Sequence, residues 1–595
     1  MHTQKRKNSM KQALLILCSG VAMLLVLAGC DSGSANDVKP TPTAETMAFV
    51  PLHLDLPAVA WNAPITGKVP DNQILHVGVT MKLNQQALDQ MSKHGIAKPG
   101  DSTSANDIAQ KLGISEADYQ RLKQFFGVNG ADLQLSQTRT SMTLDIQAGK
   151  LAQLLQTSFV QHTLDNRTFY TPDPQHQPQI PAVLAANILA VTGLDNYSLP
   201  PMRQMQFTAQ QGQEETISKQ ATGVNCTPRA GTVGPKQLAH AYGYDELWQQ
   251  GLHGENMTIN LVALDATKMD DLRTYFTCTG FKGTLDFINV NGKAPKPTKG
   301  DGETTLDIEM IASMAPTAHI KVYQTENNSA NVMDDVLQRI IDDNATQHEF
   351  GSSVSISWGG AEEFRTGESM KATSQHLQLL TTVEHMTIYA ASGDCGAFES
   401  RIIGVLSTSY PASDPWAVSV GGTTLTSDRA NNRAKETAWG GVPNAPVCAD
   451  NSWGSGGGLS SHFQKPSWQQ APGVNNQFSN GKRQVPDIAA LANKVSMFLD
   501  GKWISVGGTS AATPIWAAGM ALVNQGLLTT KGFYVYGPDT FYTIQAHAGN
   551  LKPYYDEVEG NNLVFRASPG WDYMTGLGSP NLSAFYQVIA TTMTI

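Results

Sequence analysis

The residues best suited to chemistry lie in the stretch Gly507 to Pro514, Gly-Gly-Thr-Ser-Ala-Ala-Thr-Pro, where Ser510 stands between a glycine-rich approach and a proline. A serine hydroxyl is a weak nucleophile, so it needs a base to take its proton and a donor to stabilise the oxyanion made by its attack. An ordinary turn ahead of a helix is the plainer use of the same residues. The usual base is a histidine oriented by an acid, and Asp265, ending Val262-Ala263-Leu264-Asp265, could be that acid; but the nearest His-Gly pair, His253-Gly254, precedes that strand and His319 opens another.

The corresponding stretch reads Gly302-Glu303-Thr304-Thr305-Leu306-Asp307-Ile308, which places two carboxylates at i and i+4. Leu306, Met310 and Met314 repeat on an adjacent stripe and Pro316 ends it, so a helix carries both acids on one face. Like charges so close oppose double ionisation and raise one pKa. Such a pair works best in acid, with Glu303 taking the proton of Ser510 and Asp307 orienting it. A solvated acidic face near a helix N-terminus is the alternative. Asp394, in Ala391-Ser392-Gly393-Asp394-Cys395-Gly396, follows a strand and offers a protonated acid to a developing oxyanion; a turn Asp is its alternative.

These residues need a scaffold, and the pattern from about Cys226 onward supplies one. Strand candidates Thr258 to Leu264, His319 to Tyr323, Val354 to Ser357, Met386 to Ala390 and Trp416 to Val420 alternate with helices such as Met333 to Asp342, Ser374 to Glu384 and Ala511 to Leu522. Short apolar strands separated by helices imply α/β architecture, a parallel sheet covered on both faces, with functional groups at the carboxyl ends of strands. Upstream, Ile74 to Lys82, Arg139 to Ile146 and Thr168 to Thr171 read as strands, and Gln85 to Lys93, Glu116 to Phe126 and Gly149 to Leu155 as helices, an α+β unit with no titratable cluster. Between Pro200 and Pro235 the chain turns polar and flexible, the kind of segment proteases cut.

Composition narrows the setting. With 41% hydrophobic and 15% charged residues over 595, the chain is folded and has room for several domains. A net charge of -10 excludes a nucleic-acid partner that would need a basic surface. Lys5, Arg6, Lys7 and Lys11 precede the apolar run Ala13 to Leu27, and Leu27-Ala28-Gly29-Cys30 resembles a bacterial lipobox, with Cys30 the lipidated residue. Export with attachment to the membrane only through that lipid is expected. A plain signal peptide is the alternative. Of six cysteines, Cys18 lies in the signal and Cys30 in the lipobox. The other four lack metal-site spacing and allow three disulfide pairings, of which Cys226–Cys278 with Cys395–Cys448 is the one expected; free thiols are the alternative.

The ordered set of motifs resembles the sedolisin family of serine-carboxyl peptidases. It comprises Gly-Glu-x-x-Leu-Asp at Glu303 and Asp307, Val354 to Gly359, Ser392-Gly393-Asp394, Tyr410 to Ser413, Val420 to Leu425, Ser455 to Gly458, Val485-Pro486-Asp487 and Gly508-Thr509-Ser510. The resemblance implies a subtilisin-like catalytic domain with a central parallel sheet flanked by helices, preceded by an α+β activation propeptide. It makes Ser510 the nucleophile, Glu303 the base, Asp307 its orienter and Asp394 the oxyanion acid. It also implies substrate-backbone binding by Ser355, Ser357, Trp358 and Gly359 and by Ser455, Gly456 and Gly457. A Ca2+ site similar to the family's would use the Asp556 and Asp572 carboxylates and the carbonyls of Glu557, Ser568 and Gly570. The expected order is signal peptide 1–29, tether 30–51, propeptide 52–199, processing linker 200–225 and catalytic domain 226–595. The protein so implied is a monomeric zymogen, an acid-active endopeptidase on proteins or peptides, with exo-action the open alternative, inhibited by its own propeptide. Because Cys30 precedes the processing linker and the other four cysteines lie at or beyond it, processing is expected to release the catalytic domain from the membrane. A subtilisin-like neutral peptidase and a non-catalytic surface lipoprotein are the rivals.

Overall fold

Both faces of the central sheet are covered, which is why its strands are apolar throughout rather than alternating. In Thr258–Ala263 every residue is buried. Ile259 and Leu261 face the helices Glu303–Met314 and Thr509–Lys531, while Val262 faces Val332–Gln347 and Gly367–Thr382. The computed structural model describes residues 48–593 apart from 93–94, 128–131, 165–166, 208–224, 293, 299, 403, 441–447 and 449–452. The signal, the lipobox with Cys30 and most of the tether, and the greater part of the polar linker, lie outside the described residues.

The sheet runs Thr284–Asn289, His319–Gln324, Thr258–Ala263, Ser353–Ile356, Thr387–Ala391, Val418–Ser427, all parallel. Val418–Ser427 then pairs with Ile488–Leu491 in parallel and with Arg433–Ala438 antiparallel. The order doubles back around Thr258–Ala263, and the catalytic candidates gather at the carboxyl ends of the strands near that reversal. Two strand expectations change. Thr284–Asn289 is an unforeseen edge strand, half exposed and so without a continuous apolar run. The strand expected to stop at Val420 continues through Gly421-Gly422 to Ser427. Glycine is required there because a Cβ on Gly422 would sit 2.6 Å from Ala492. The helix expected from Ser374 begins earlier, at Gly367, where the Thr366 hydroxyl caps Ser369 N–H.

The N-terminal unit is α+β, with an antiparallel sheet ordered Ile188–Thr192, Ile74–Met81, Ser141–Gln147, Asp132–Leu135 around its own apolar core. It docks on the helices Val332–Gln347 and Gly367–Thr382. Ser141 Oγ donates to Gln338 Oε1 at 2.7 Å and Gln375 Nε2 to the Met81 carbonyl at 2.9 Å. His76 is held between Asp145 of its own sheet, 2.6 Å from Nδ1, and Asp335 of the helix Val332–Gln347, 2.8 Å from Nε2. This cluster was not foreseen, because it depends on strand register and domain docking. Disulfides join Cys226 to Cys278 and Cys395 to Cys448, the expected pairing. Among the described residues no helix is long and apolar enough to cross a membrane.

Candidate active site

The helix Thr509–Lys531 follows the strand Lys502–Gly507 through a single residue, Gly508, and so presents Ser510 in its first turn. Gly508 has φ 144°, and a Cβ there would lie 2.1 Å from the carbonyl oxygen of Gln204. Pro514 sits four residues after Ser510 and cannot donate to its carbonyl. The Ser357 hydroxyl approaches that freed carbonyl at 3.3 Å. The same hydroxyl donates to Asp307 Oδ1 at 2.7 Å, so Ser357 ties the serine's turn to the acid helix.

The helix Glu303–Met314 is buried along its whole length, which removes the solvated-face alternative. Its first turn is capped by Asp265. Oδ2 accepts from Gly302 N–H at 2.8 Å and Glu303 N–H at 3.0 Å, Oδ1 from Thr304 N–H at 2.9 Å, and the Thr304 hydroxyl also donates to Oδ1. Asp265, which resembled a partner for a missing histidine, instead fixes the backbone of Glu303.

Ser510, Glu303 and Asp307 are completely buried and Asp394 nearly so. Burial pushes the Glu303 pKa well up. The charges of Asp307, Asp265 and Asp394 add to that rise, and the Ser510 hydroxyl opposes it. Ser510 and Glu303 thus face one another short of a formed hydrogen bond: the hydroxyl points to the Ser357 carbonyl at 3.5 Å, and neither Glu303 oxygen has a hydrogen-bond partner. Long catalytic contacts of this kind are usual before the reacting geometry is reached. Asp307 is also raised, by burial first and by Asp265, against the Ser357 hydrogen bond. Asp394 Oδ1 accepts from Thr509 N–H at 2.8 Å and from its hydroxyl at 3.0 Å, which leaves Oδ2 buried and unpartnered. Burial raises its pKa, Thr509 N–H opposes and the Glu399 carboxylate adds to the rise. The buried Glu399, pushed by burial to about 7, was not singled out from the sequence. No local signal marks it beyond its position five residues after Asp394.

The other site expectations fall into two groups. Ser357, Trp358 and Gly359 line the extended segment Met202–Arg203, which pairs antiparallel with Trp358–Ala361. Ser355 lies in the adjacent sheet strand with a buried hydroxyl that has no partner. Ser455, Gly456 and Gly457 pack elsewhere: Gly456 N–H donates to the Gly393 carbonyl at 2.7 Å, Ser392 Oγ to the Gly456 carbonyl at 2.7 Å and Ser455 Oγ to the Met574 carbonyl at 2.7 Å. That loop braces the Asp394 turn, and none of its described hydrogen bonds reaches the linker.

Around the expected calcium loop, Asp572 accepts from Ser568 N–H at 2.7 Å and from Met574 and Thr575 N–H at 2.8 and 2.9 Å. Asp556 accepts from Gly570 N–H at 2.8 Å. Burial raises Asp572 to about 6, and the charge of Asp556 adds to it. Glu557 turns its side chain inward to Arg433 and Ser579, which leaves its carbonyl for a ligand. Two mutually opposed carboxylates within a braced loop fit a hard cation. Among the described residues no three His, Cys, Asp or Glu side chains form a metal cage, so loop carbonyls and water would fill most of the shell.

Two sequence-family models match the chain, the Pro-kumamolisin activation domain over residues 63–197 and the Subtilase family over residues 294–547. Kumamolisin of Bacillus sp. (strain MN-32) is 29% identical over 553 residues, covering 88% of this chain and 92% of that one. Sedolisin of Pseudomonas sp. (strain 101) is 24% identical over 613 residues, covering 97% and 98%. A solved structure of Pseudomonas sedolisin, a serine-carboxyl proteinase complexed with two molecules of pseudo-iodotyrostatin, is similar in fold, with a TM-score of 0.52 at 23% identity over 62% of this chain and 99% of that one.

Proposed function

We propose that this chain, which belongs to the sedolisin family of serine-carboxyl peptidases, is an acid-active endopeptidase exported as a lipid-anchored zymogen and held inactive by its N-terminal domain. The observation that carries the catalytic reading is the meeting of Ser510, Glu303, Asp307 and Asp394 in one buried site. Glu303 takes the proton of Ser510 as the hydroxyl attacks a peptide carbonyl, and Asp307, pinned by Ser357, shares the charge. Ser510 N–H, at the positive end of its helix, and the free Oδ2 of a protonated Asp394 receive the oxyanion. The acyl-enzyme is then opened by water, with Glu303 again handling the proton.

The carboxyls set the pH range. Asp394 must keep a proton to donate, and the Glu303–Asp307 pair must hold one proton between them while leaving Glu303 able to accept another. All three pKa values are raised by burial, so the competent state persists above the ordinary carboxylate range and is lost as pH rises further. Calcium, when bound by Asp556, Asp572 and the carbonyls of Glu557, Ser568 and Gly570, supplies positive charge that holds the C-terminal loop. Lipid attachment at Cys30, with all four later cysteines beyond the processing linker, supports release of the catalytic domain on processing.

A fluorogenic peptide assay after acid incubation tests the reading. Hydrolysis is expected from the parent chain and is expected to vanish in Ser510→Ala and in Glu303→Gln, both still folded. Turnover that survives in either variant refutes it. Catalytic domain that stays in washed membranes after processing refutes the release.

A further inference from the structure

The segment that joins the two domains does not skirt the active site but runs through it. Leu199 N–H donates to the Phe364 carbonyl, Asn327 Nδ2 to the Pro201 carbonyl at 2.7 Å, and Arg203 to the Gly300 carbonyl. Met202 pairs antiparallel with Gly359 and Arg203 with Trp358. Gln204 N–H then donates to the Ser357 carbonyl at 3.1 Å, and the Gln204 carbonyl accepts from Ser510 N–H at 3.1 Å. Two residues on, Gln206 pairs antiparallel with Gly507 and Phe207 with Val506. The backbone is therefore an extended strand gripped on both flanks of the catalytic serine. Its register brings the Gln204 carbonyl to the amide where an oxyanion would form.

The side chains hold the same register. Gln204 is buried and its amide donates to Glu399 Oε1 at 3.2 Å; Met205 is completely buried, its methyl 3.2 Å from the Cβ position of Gly302. A slip by one residue would turn both side chains to the opposite face, remove the buried methionine from its place and carry the carbonyl off Ser510 N–H. Gly508 contributes as well, since only a residue without Cβ lets the Gln204 carbonyl approach so closely. The segment is thus laid across the site as a substrate is, in extended register with its carbonyl on the Ser510 amide.

We infer that Gln204–Met205 is the bond this enzyme cuts first in its own chain, in cis, and that the mature protein starts at Met205. The inference rests on the peptidase reading above and adds the bond. Ser510 Oγ bonds to the Gln204 carbonyl carbon while its proton passes to Glu303. The C–N bond to Met205 then breaks, Glu303 returns the proton to the departing amine, and solvent water hydrolyses the Gln204 ester. All four disulfide cysteines lie beyond Met205, so this one cut separates the N-terminal domain, and whatever precedes it, from the catalytic domain.

The full chain, purified at neutral pH and shifted to acid, tests this by intact mass and N-terminal sequencing over time, with peptide hydrolysis followed in parallel. The earliest new N-terminus is expected at Met205, forming at a rate independent of protein concentration, and absent in Ser510→Ala. Met205→Pro, which makes the bond a tertiary amide without an N–H, is expected to abolish that terminus. An earliest product that begins anywhere else, including within 208–224, overturns the assignment, as does a rate proportional to concentration. If peptide hydrolysis appears while the terminus lies elsewhere, only the bond is wrong; if neither appears, the peptidase reading fails with it.

Discussion

Glu384, remote from the chemistry, tests whether burial alone governs the carboxyls of this fold. Its carboxyl accepts from Asn344 Nδ2 and is otherwise enclosed. Burial, partly offset by that hydrogen bond, raises its pKa from 4.5 to about 8. Below 4.5 the folded and unfolded chains both hold the proton, and its stabilising effect is fully present. Between 4.5 and about 8 only the folded chain holds it, so each rise in pH favours unfolding, at up to about 1.4 kcal/mol per unit. Integrated over that window the loss is about 5 kcal/mol. Glu384→Gln keeps an acceptor for Asn344 and removes the titration. Urea unfolding of Ser510→Ala with and without Glu384→Gln, followed from acid to about pH 8, is therefore expected to show stability curves that diverge by about 5 kcal/mol, the parent falling more steeply. Parallel curves would mean that the buried carboxyl is ionised without penalty. The burial argument for Glu303, Asp307 and Asp394 would then lose its footing.

Asp265→Asn removes a charge that raises both Glu303 and Asp307, so the pH–rate profile for peptide hydrolysis is expected to move toward acid, with a stability cost of about 2 kcal/mol from weaker capping; an unmoved profile contradicts it. Burial works against protonation of His76, but Asp335 and Asp145 outweigh it and raise its pKa to about 9. Its contribution to domain docking is then fully present below about 6.5 and lost as pH rises through about 9. In the Ser510→Ala chain, His76→Gln is expected to cut hydrogen-exchange protection of Ile74–Met81 near neutral pH and to make no difference above that range. An equal loss at both pH values refutes the pairing. Chelation is expected to lower unfolding free energy by about 3 kcal/mol when calcium had been present at a hundred times its Kd, and Asp572→Asn to abolish that difference. A variant that still responds fully to the chelator rules out this loop.

What was legible in the sequence was what local spacing encodes. Glu303 and Asp307 share a face because i and i+4 always do on a helix, and Asp394 stands in the Ser-Gly-Asp turn that follows the strand Thr387–Ala391. Asp265 was left without a role once no histidine was found, because its work, capping the helix Glu303–Met314 from Gly302, 37 residues on, is a tertiary relation with no local signature. Met202–Arg203 and Gln206–Phe207 sit in a polar stretch with a linker's composition. They become strands because Trp358–Ala361 and Lys502–Gly507 offer them open edges, not through propensity of their own. Glu399 and the His76–Asp145–Asp335 cluster were invisible for a related reason, since each needs a particular register or docked face.

Acid has two places to act on this zymogen, and the signs separate them. His76 holds its proton more firmly in the folded chain than out of it, so a fall in pH from neutral does not weaken docking on the histidine's account. The linker's backbone hydrogen bonds to Ser357 and Ser510 do not titrate, and the Gln204 amide can still donate to Glu399 when that carboxyl is protonated. The groups near the bond whose proton occupancy changes are the buried acids Glu303, Asp307, Asp394 and Glu399, and all four are raised. On the proposed reading, acidification would arm the chemistry while the linker is still in place. The chain would be cut because its substrate is already seated, and the N-terminal domain would depart only after the peptide that tied it to the active site has been broken.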